Sequence, residues 1–503
     1  MKTKSTIIKS LVLLIGATTI TLAGINWAIA WAAWLAPVFL LYYFRRARRF
    51  DFVFFYLLLF VSGMLSQTGN NLFHLPAVDV FNGLSFCILY SVAYLADRFL
   101  YSKEMPFYYT LIFPSVAVLV EFVASFAIGT WGSVAHTQFD VKPLLQFSAI
   151  GGIFGVSFLV LWFAPVANRI IEDYDNRKKW LRGTLIYSAI ICAILVYGSV
   201  RMLLHKPEGN TVKVAAILSD TDIHAVVKNE EAALKKLVDG SGSEIPAGLF
   251  SDSATIEIMM TRTREAINKG AKILLWNEAA LILGQEQKKE LVNKVSKFCT
   301  DENVYILMAF LESGINSEEK PFNNVDLLVA PDGEIVWEYK KSFLHPYAEA
   351  PIVNKGDSKL PYTDTEFGRL GTVICADLDM PHYLKQAGDA NIDILLVPAF
   401  DWEGITPFHA EMAVVPGIQH GFSVVRANGK GLTTFTDYLG NSLASANSLT
   451  GGEKIVYAEV PIHSIRTIYS VLNDLVIYLA LLYLIVIFLG HRFWKKQKSV
   501  SKI

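Results

Sequence analysis

A multi-pass α-helical membrane domain joined to a layered α/β domain is the fold this sequence predicts, and three observations carry that expectation. Of 503 residues, 53% are hydrophobic and only 18% charged, against roughly 25% charged in an ordinary soluble protein. The charges are also unevenly spread. Residues 1–205 and the final stretch are apolar and aromatic, whereas 206–465 have the composition of a globular domain. Within that middle region short apolar runs alternate with amphipathic ones, the pattern of strands interleaved with helices.

A span needs about 20 mostly apolar residues. Seven such segments precede the middle region, at about 7–24, 27–44, 51–68, 78–96, 106–127, 145–168 and 184–204, and an eighth runs from about Leu472 to Gly490. A break near Gly24-Ile25-Asn26 makes the first two a tight hairpin. Basic residues set the orientation. Lys2, Lys4 and Lys9 precede the first span, and Arg45, Arg46, Arg48 and Arg49 follow the second. Arg98 and Lys103 follow the fourth, and Arg169, Arg177, Lys178, Lys179 and Arg182 follow the sixth. Arg492, Lys495, Lys496, Lys498 and Lys502 follow the eighth, with Lys142 the main exception to the alternation. The expected organisation is a seven-span transmembrane domain (1–205), an extracytoplasmic catalytic domain (206–465), and a final transmembrane helix with a cytoplasmic basic tail (466–503). The alternative makes Ala28-Ile29-Ala30 a signal-peptide processing site; apolar sequence running straight on into a second span argues against it. Glu121, within Val118–Val123, is an intramembrane carboxylate that either packs against another helix or serves lipid access.

In the middle region Val212–Leu218, Lys272–Trp276 and Val304–Leu311 read as strands, with helices at Ala254–Lys269 and Gln285–Cys299. Asp326–Ala330, Pro331-Asp332-Gly333 and Glu334–Tyr339 read as a hairpin, because Asp-Gly supplies the positive φ of its turn. Leu370–Ile374 and Ile392–Pro398 are further strands, Phe408–His420 is helical, and Phe422–Ala427 and Gly431–Asp437 close the sheet. The Gly/Ser-rich stretch Asp239–Ser253 is expected to be a mobile loop.

Three of these strands run into segments that carry chemistry: Trp276-Asn277-Glu278, Tyr339-Lys340-Lys341 and Ile374-Cys375-Ala376-Asp377. Strand ends are rigid places from which a carboxylate, an ammonium and a thiol can meet in one pocket, which is the equipment for acyl transfer. Each residue has a blander reading. Cys375 can be a buried core cysteine, Glu278 an acid at a helix N-terminus, and Lys341 or its neighbour Lys340 a solvent-reaching strand end. Glu349 can orient Lys341 or Glu278, or cap a loop. His345, His409 and His420 are scattered and no HExxH pair exists, so histidine is not expected in the machinery. The four cysteines show no CxxC or zinc-ligand spacing, so neither a disulfide framework nor a metal site is expected. A net charge of −1 gives no reason to expect nucleic acid.

Further residues extend the pattern: Leu144-Leu145-Gln146 with Gly155-Val156-Ser157-Phe158-Leu159, Asn324, Pro331-Asp332-Gly333, Leu344-His345-Pro346-Tyr347-Ala348-Glu349, Pro351, and Val425-Arg426-Ala427-Asn428. On these residues the chain resembles the nitrilase (carbon–nitrogen hydrolase) superfamily, and with its apolar spans it is similar to the membrane-bound apolipoprotein N-acyltransferases within it. The resemblance implies an αββα sandwich in which Glu278 is the general base, Lys341 stabilises the oxyanion, Cys375 forms a thioester, and Glu349 is a supporting carboxylate. It implies a phospholipid acyl donor, a diacylated apolipoprotein acceptor with a diacylglyceryl-cysteine amine, no cofactor and no metal, and a place in a bacterial cytoplasmic membrane. The chain departs from the family at Asn277, His345 and Ala348, at Ala376-Asp377, at Leu218-Ser219-Asp220 and at Pro416-Gly417-Ile418-Gln419. These departures keep open a membrane-anchored amidase, or an acyltransferase for another amine.

Overall fold

The structure is a computed structural model that describes residues 2–72, 74–102, 104–205, 209–229, 236, 245, 247–313 and 320–500. The chain divides into two compact units, Met1–His205 with Thr467–Ile503, and Lys206–Arg466.

The first unit is helical. Helices stand at each of the eight expected segments: Lys2–Leu22, Ala30–Arg45, Asp51–Ser66, Pro76–Leu100, Ile112–Ile128, Ser148–Glu172, Arg177–Leu204 and Leu475–Val500. Among the described residues, four helical segments are long and apolar enough to cross a membrane: Pro76–Leu100, Phe107–Ile128, Ser148–Glu172 and Arg177–Leu204. Ala30–Arg45 and Asp51–Ser66 have only 16 residues each, a rise of about 24 Å. Ser148–Glu172 is the central helix. Within its most apolar stretch 83% of residues are buried, against 22–33% for the other three. Those three turn large apolar side chains outward, as Phe81, Val123 and Leu185 do, which suits lipid rather than water as surroundings.

Gly152 kinks the central helix at φ 67, and a Cβ there would collide with the Tyr469 ring. Gly152→Ala is therefore expected to destabilise this unit by more than about 1 kcal/mol, read as a lower melting temperature of the full chain in detergent. The ends of the second, fourth and sixth helices meet. Arg45 donates to both oxygens of Asp97 at 2.7 and 2.8 Å and to Glu172 at 3.3 Å. Glu121 accepts the Ser133 hydroxyl at 2.9 Å and the Val134 N–H at 3.1 Å, so its carboxylate is satisfied within the apolar unit.

The second unit stacks two sheets. Its strands are β1 (Thr211–Ile217), β2 (Ile273–Trp276), β3 (Leu281–Leu283), β4 (Tyr305–Ser313), β5 (Phe322–Val329), β6 (Ile335–Lys340), β7 (Val353–Asn354), β8 (Tyr362–Thr365), β9 (Gly368–Thr372), β10 (Ile394–Ala399), β11 (Ser423–Asn428), β12 (Leu432–Thr436), β13 (Ser442–Asn447) and β14 (Ile455–Pro461). One sheet runs β14-β1-β2-β4-β5-β6, with β3 beside β4 and β7 beside β5; the other runs β13-β12-β11-β10-β9-β8. The centres are parallel, β1 with β2 and β4, and β9 with β10 and β11, and such strands are buried on both faces. Val214, Leu275, Leu307, Ile394, Leu396 and Val424 fill the space between the sheets. Helices Ser253–Asn268 and Gln285–Glu302 cover the far face of the first sheet through Met259, Met260, Leu291 and Val295. Tyr383, Leu384 and Ala387, on helix Pro381–Asp389, join the core of the second sheet. The arrangement is αββα.

The Pro331-Asp332-Gly333 turn forms as its residues demand, with Gly333 at φ 85. Two expectations and one alternative reading need correction. The sheet does not close at Asp437, because β13 and β14 follow, and β14 crosses to the first sheet to pair antiparallel with β1. Phe408–His420 is two helices, Phe408–Met412 and Val414–His420; Pro416 lacks the N–H a continuous helix needs. Glu278 does not start a helix. A tight turn with Ala279 at φ 49 leads into β3. Of the stretch Asp239–Ser253, residues 239–244 and 246 lie outside the described residues, and Ala247–Leu249 is a single helical turn.

Candidate active site

Glu278, Lys341 and Cys375 each follow the C-terminal end of a strand, β2, β6 and β9. β2 ends at Trp276, and Asn277 then accepts the Ser219 N–H at 2.7 Å and donates to the Glu278 carbonyl at 2.9 Å. It thereby fastens the exits of β1 and β2 together. Lys341 follows β6 and is held by its own N–H to the Asn324 carbonyl on β5 at 2.9 Å. Cys375 follows β9 at φ 47 and opens the short turn Cys375–Asp379. A left-handed conformation at a non-glycine residue costs on the order of 1–3 kcal/mol and persists only where its surroundings enforce it.

Lys341 is the hub. Its Nζ donates to Glu278 Oε1 at 2.8 Å and to both Glu349 oxygens at 2.8 and 2.7 Å. Asn324 Nδ2 bridges the same carboxylates, at 2.8 Å to Glu278 and 3.0 Å to Glu349. Glu349 also accepts the His345 N–H at 2.8 Å. Glu349 therefore orients Lys341 and caps its loop at once, while Lys340 is not part of this group.

Burial sets the protonation states. It pushes the Glu278 carboxyl up despite Lys341 beside it. For Glu349 burial is outweighed by Lys341 and by the His345 N–H, which hold it below the usual carboxylate range. Lys341 keeps its charge, because the two carboxylates more than offset burial. Burial and the Glu278 charge push the Cys375 thiol well up, with Lys341 and Arg426 opposing. The resting sulfur is accordingly a thiol that needs a base, and Glu278 is a carboxylate whose raised pKa suits it to take that proton.

Sequence reasoning missed Asp377. It accepts the N–H of Ser342 at 3.1 Å and of Phe343 at 2.7 Å, just past Lys341, and the N–H of Ile374 at 3.0 Å, just before Cys375. The Tyr339 hydroxyl completes the set at 2.7 Å. One carboxylate thus fixes the spacing of the ammonium and the thiol. Asp377→Asn turns an N–H₂ toward donors that need an acceptor, a mismatch of about 1–3 kcal/mol. The expected result is a lower melting temperature and a lower kcat with KM little changed, measured by steady-state kinetics beside thermal unfolding. The signal available in the sequence was the acid two residues beyond the cysteine.

A family model described as "Carbon-nitrogen hydrolase" matches residues 244–469, and one described as "Apolipoprotein N-acyltransferase N-terminal domain" matches residues 16–166. The apolipoprotein N-acyltransferase of Geobacter metallireducens is 24% identical over 71% of this chain and 70% of its own. Apolipoprotein N-acyltransferase 1 of Treponema denticola is 23% identical over 80% and 81%. Along most of its length the chain is similar to apolipoprotein N-acyltransferases. Among solved structures, an amidase from Nesterenkonia sp. is 14% identical, covering 51% of this chain and 92% of that one, with a TM-score of 0.38.

The arrangement holds one reversal of expectation. His409, read from the sequence as remote, lies against the thiol: a nitrogen of its ring, an Asp401 oxygen and Cys375 Sγ are within 4.8 Å of one another. The fold brings it there because helix Phe408–Met412 follows the β10 exit. The donors of this trio are already paired internally. Asp401 accepts from Arg426 at 2.8 Å and from Asn428 at 2.7 Å and contacts His409 at 2.7 Å, while the other His409 nitrogen meets Asp379 at 3.1 Å. With a buried guanidinium at its centre, the cluster is built for charge pairing rather than for holding a metal ion.

Proposed function

We propose that the protein is a membrane-bound N-acyltransferase that moves a fatty acyl chain from a phospholipid, through a thioester on Cys375, to the N-terminal amine of diacylglyceryl-cysteine on apolipoproteins. One observation carries the reading: an ammonium bonded to a buried carboxylate, Glu278, and a half-buried one, Glu349, stands with a thiol on a left-handed turn, in a chain that also carries apolar helices.

Glu278 takes the proton of Cys375 as the sulfur attacks the ester carbonyl of the donor. Lys341 stabilises the negative oxygen that forms there, and its compact charge in a dry site is worth far more than in water. Collapse expels the lysophospholipid alkoxide, which receives the proton from Glu278. The acceptor amine then attacks the thioester, Glu278 takes a proton from the amine, and the thiol is restored. Glu349 and Asn324 keep Lys341 and Glu278 in register throughout. Both substrates are membrane-anchored, so a catalytic domain tethered by spans gains effective concentration. The catalytic domain faces the outside of the bacterial cytoplasmic membrane, since Arg45, Arg98 and Arg169 follow the second, fourth and sixth spans.

The test is incubation of the full chain in proteoliposomes with acyl-labelled phospholipid and a diacylated lipopeptide, followed by mass spectrometry. Amide-linked label on the lipopeptide supports the proposal. Free fatty acid released equally with and without the lipopeptide supports instead a membrane-anchored amidase-like hydrolase, the reading that Cys375-Ala376-Asp377 favours.

A further inference from the structure

We propose that His409 is a positioning residue, a doubly protonated clamp that holds the Cys375 turn in its reactive geometry by joining Asp379 to Asp401. The turn Cys375–Asp379 begins with the nucleophile and ends with Asp379, so whatever holds Asp379 limits how the turn moves. His409 Nε2 lies 3.1 Å from Asp379 Oδ2 and Nδ1 lies 2.7 Å from Asp401 Oδ1. Asp401 in turn sits just past β10 and is fixed by Arg426 and Asn428 of β11. Three consecutive parallel strand ends, those of β9, β10 and β11, are thereby tied through one imidazole.

Geometry sets the protonation state. A neutral imidazole has one N–H, and its other nitrogen would turn a lone pair on a carboxylate. Two ionised carboxylates on opposite nitrogens favour the imidazolium. Arg426 Nη2, 3.1 Å from Nδ1, opposes that charge, but two carboxylates outweigh it. Among the described residues, Asp379 and Asp401 face His409 against Arg426, with the Cys375 thiol alongside, and these charges balance when His409 is charged. Burial disfavours the imidazolium, yet Asp379 and Asp401 hold its pKa up at about 9. A raised pKa means that the stabilising contribution is complete below about 6.5, the unperturbed value, and is lost as pH rises through about 9.

This inference rests on Cys375 as nucleophile, not on which lipid or amine is used, so the test employs p-nitrophenyl butyrate. Cys375 Sγ bonds the acyl carbon, the ester C–O bond breaks, p-nitrophenolate leaves, and the thiol proton passes to Glu278. Burst release of p-nitrophenolate by the full chain in detergent, with Cys375→Ala as blank, reads this step. The wild-type burst rate is expected to fall as pH passes about 9. His409→Gln is expected to lower the rate near neutral pH on the order of 10²-fold, the scale of a small misplacement, with KM little changed and the alkaline fall gone. His409→Lys is expected to recover part of the rate and to carry it to higher pH. Asp379→Asn keeps the shape, removes one carboxylate charge, and is expected to move the fall to lower pH; it decides the matter if His409→Gln does not fold. Wild-type rates in His409→Gln, the same alkaline fall in that variant, or an unmoved fall in Asp379→Asn overturn the clamp. A chain that gives no burst and no iodoacetamide labelling of Cys375 removes the nucleophile reading and the clamp with it. The expected pH behaviour without transfer to a lipopeptide amine removes only the assigned acceptor.

Discussion

Cys375→Ala is expected to abolish acyl-enzyme formation, lowering turnover by about 10⁴-fold or more, the scale on which a coupled catalytic group fails when its nucleophile is removed. Intact-protein mass spectrometry after incubation with acyl-labelled phospholipid reads the thioester directly. Cys375→Ser separates space from chemistry. It preserves a nucleophilic oxygen at φ 47, but Glu278 must now deprotonate a far weaker acid, so a slow, stable ester is expected in place of a reactive thioester. Either variant should fold, because the turn is held by Asp377 through backbone groups at Ile374, Ser342 and Phe343 rather than by the sulfur. Alanine at this position with unchanged transfer to lipopeptide would refute the nucleophile. The raised thiol pKa adds a second expectation: activity depends on Glu278 as a base and not on a preformed thiolate. Glu278→Gln should therefore suppress labelling of Cys375 by iodoacetamide near neutral pH.

Much of this was legible because two sequence signals are strong. Uninterrupted apolar runs announce helices, and short apolar runs ending in Glu, Lys or Cys announce strands that present side chains at their ends. Lengths were harder to read. Gly24 and its neighbours marked the hairpin after the first helix, yet the second helix, Ala30–Arg45, begins later than its apolar run because Ala23–Ile29 are consumed in the reversal. β13, Ser442–Asn447, was missed because its small polar residues alternate weakly and are only partly buried, and β14 was missed because its pairing with β1 spans most of the domain. At the site, Glu278 and Lys341 stood out as ionisable residues just past strand-like runs, while the choice of Lys341 over Lys340 and the role of Glu349 came from the resemblance. Asn324 and Asp377 could be noticed, but not given a role, since their roles are hydrogen bonds to groups distant in sequence. His409 could not be placed beside Cys375 at all. Only the parallel packing of β9, β10 and β11 brings their exits together.

Lys341→Met is expected to cost stability as well as activity, and by an amount that depends on pH. Lys341 is the cation hydrogen-bonded to the buried Glu278 and the half-buried Glu349, and removing one member of a buried ion pair such as Lys341–Glu278 typically costs about 3–5 kcal/mol because the remaining charge is left uncompensated. Methionine fills a similar volume, so the loss is electrostatic rather than a cavity. With the ammonium gone, Asn324 alone bridges Glu278 and Glu349, and the two carboxylates repel. In the wild type Glu349 is held below its ordinary value of 4.5, so its contribution is present above that pH and is lost as pH falls through the lowered value. The wild-type advantage should therefore be greatest near and above neutral pH and should shrink on acidification, when the carboxylates of the variant take up protons. Thermal unfolding of the full chain in detergent across that range measures it. Lys341→Arg provides the control, since a guanidinium restores the charge and should recover melting temperature. It should not recover turnover, because a planar fork cannot take the place of a compact ammonium at the developing oxyanion. A methionine variant that melts like the wild type at every pH, and still forms the thioester at the normal rate, would mean that Lys341 neither balances the two carboxylates nor stabilises the transition state.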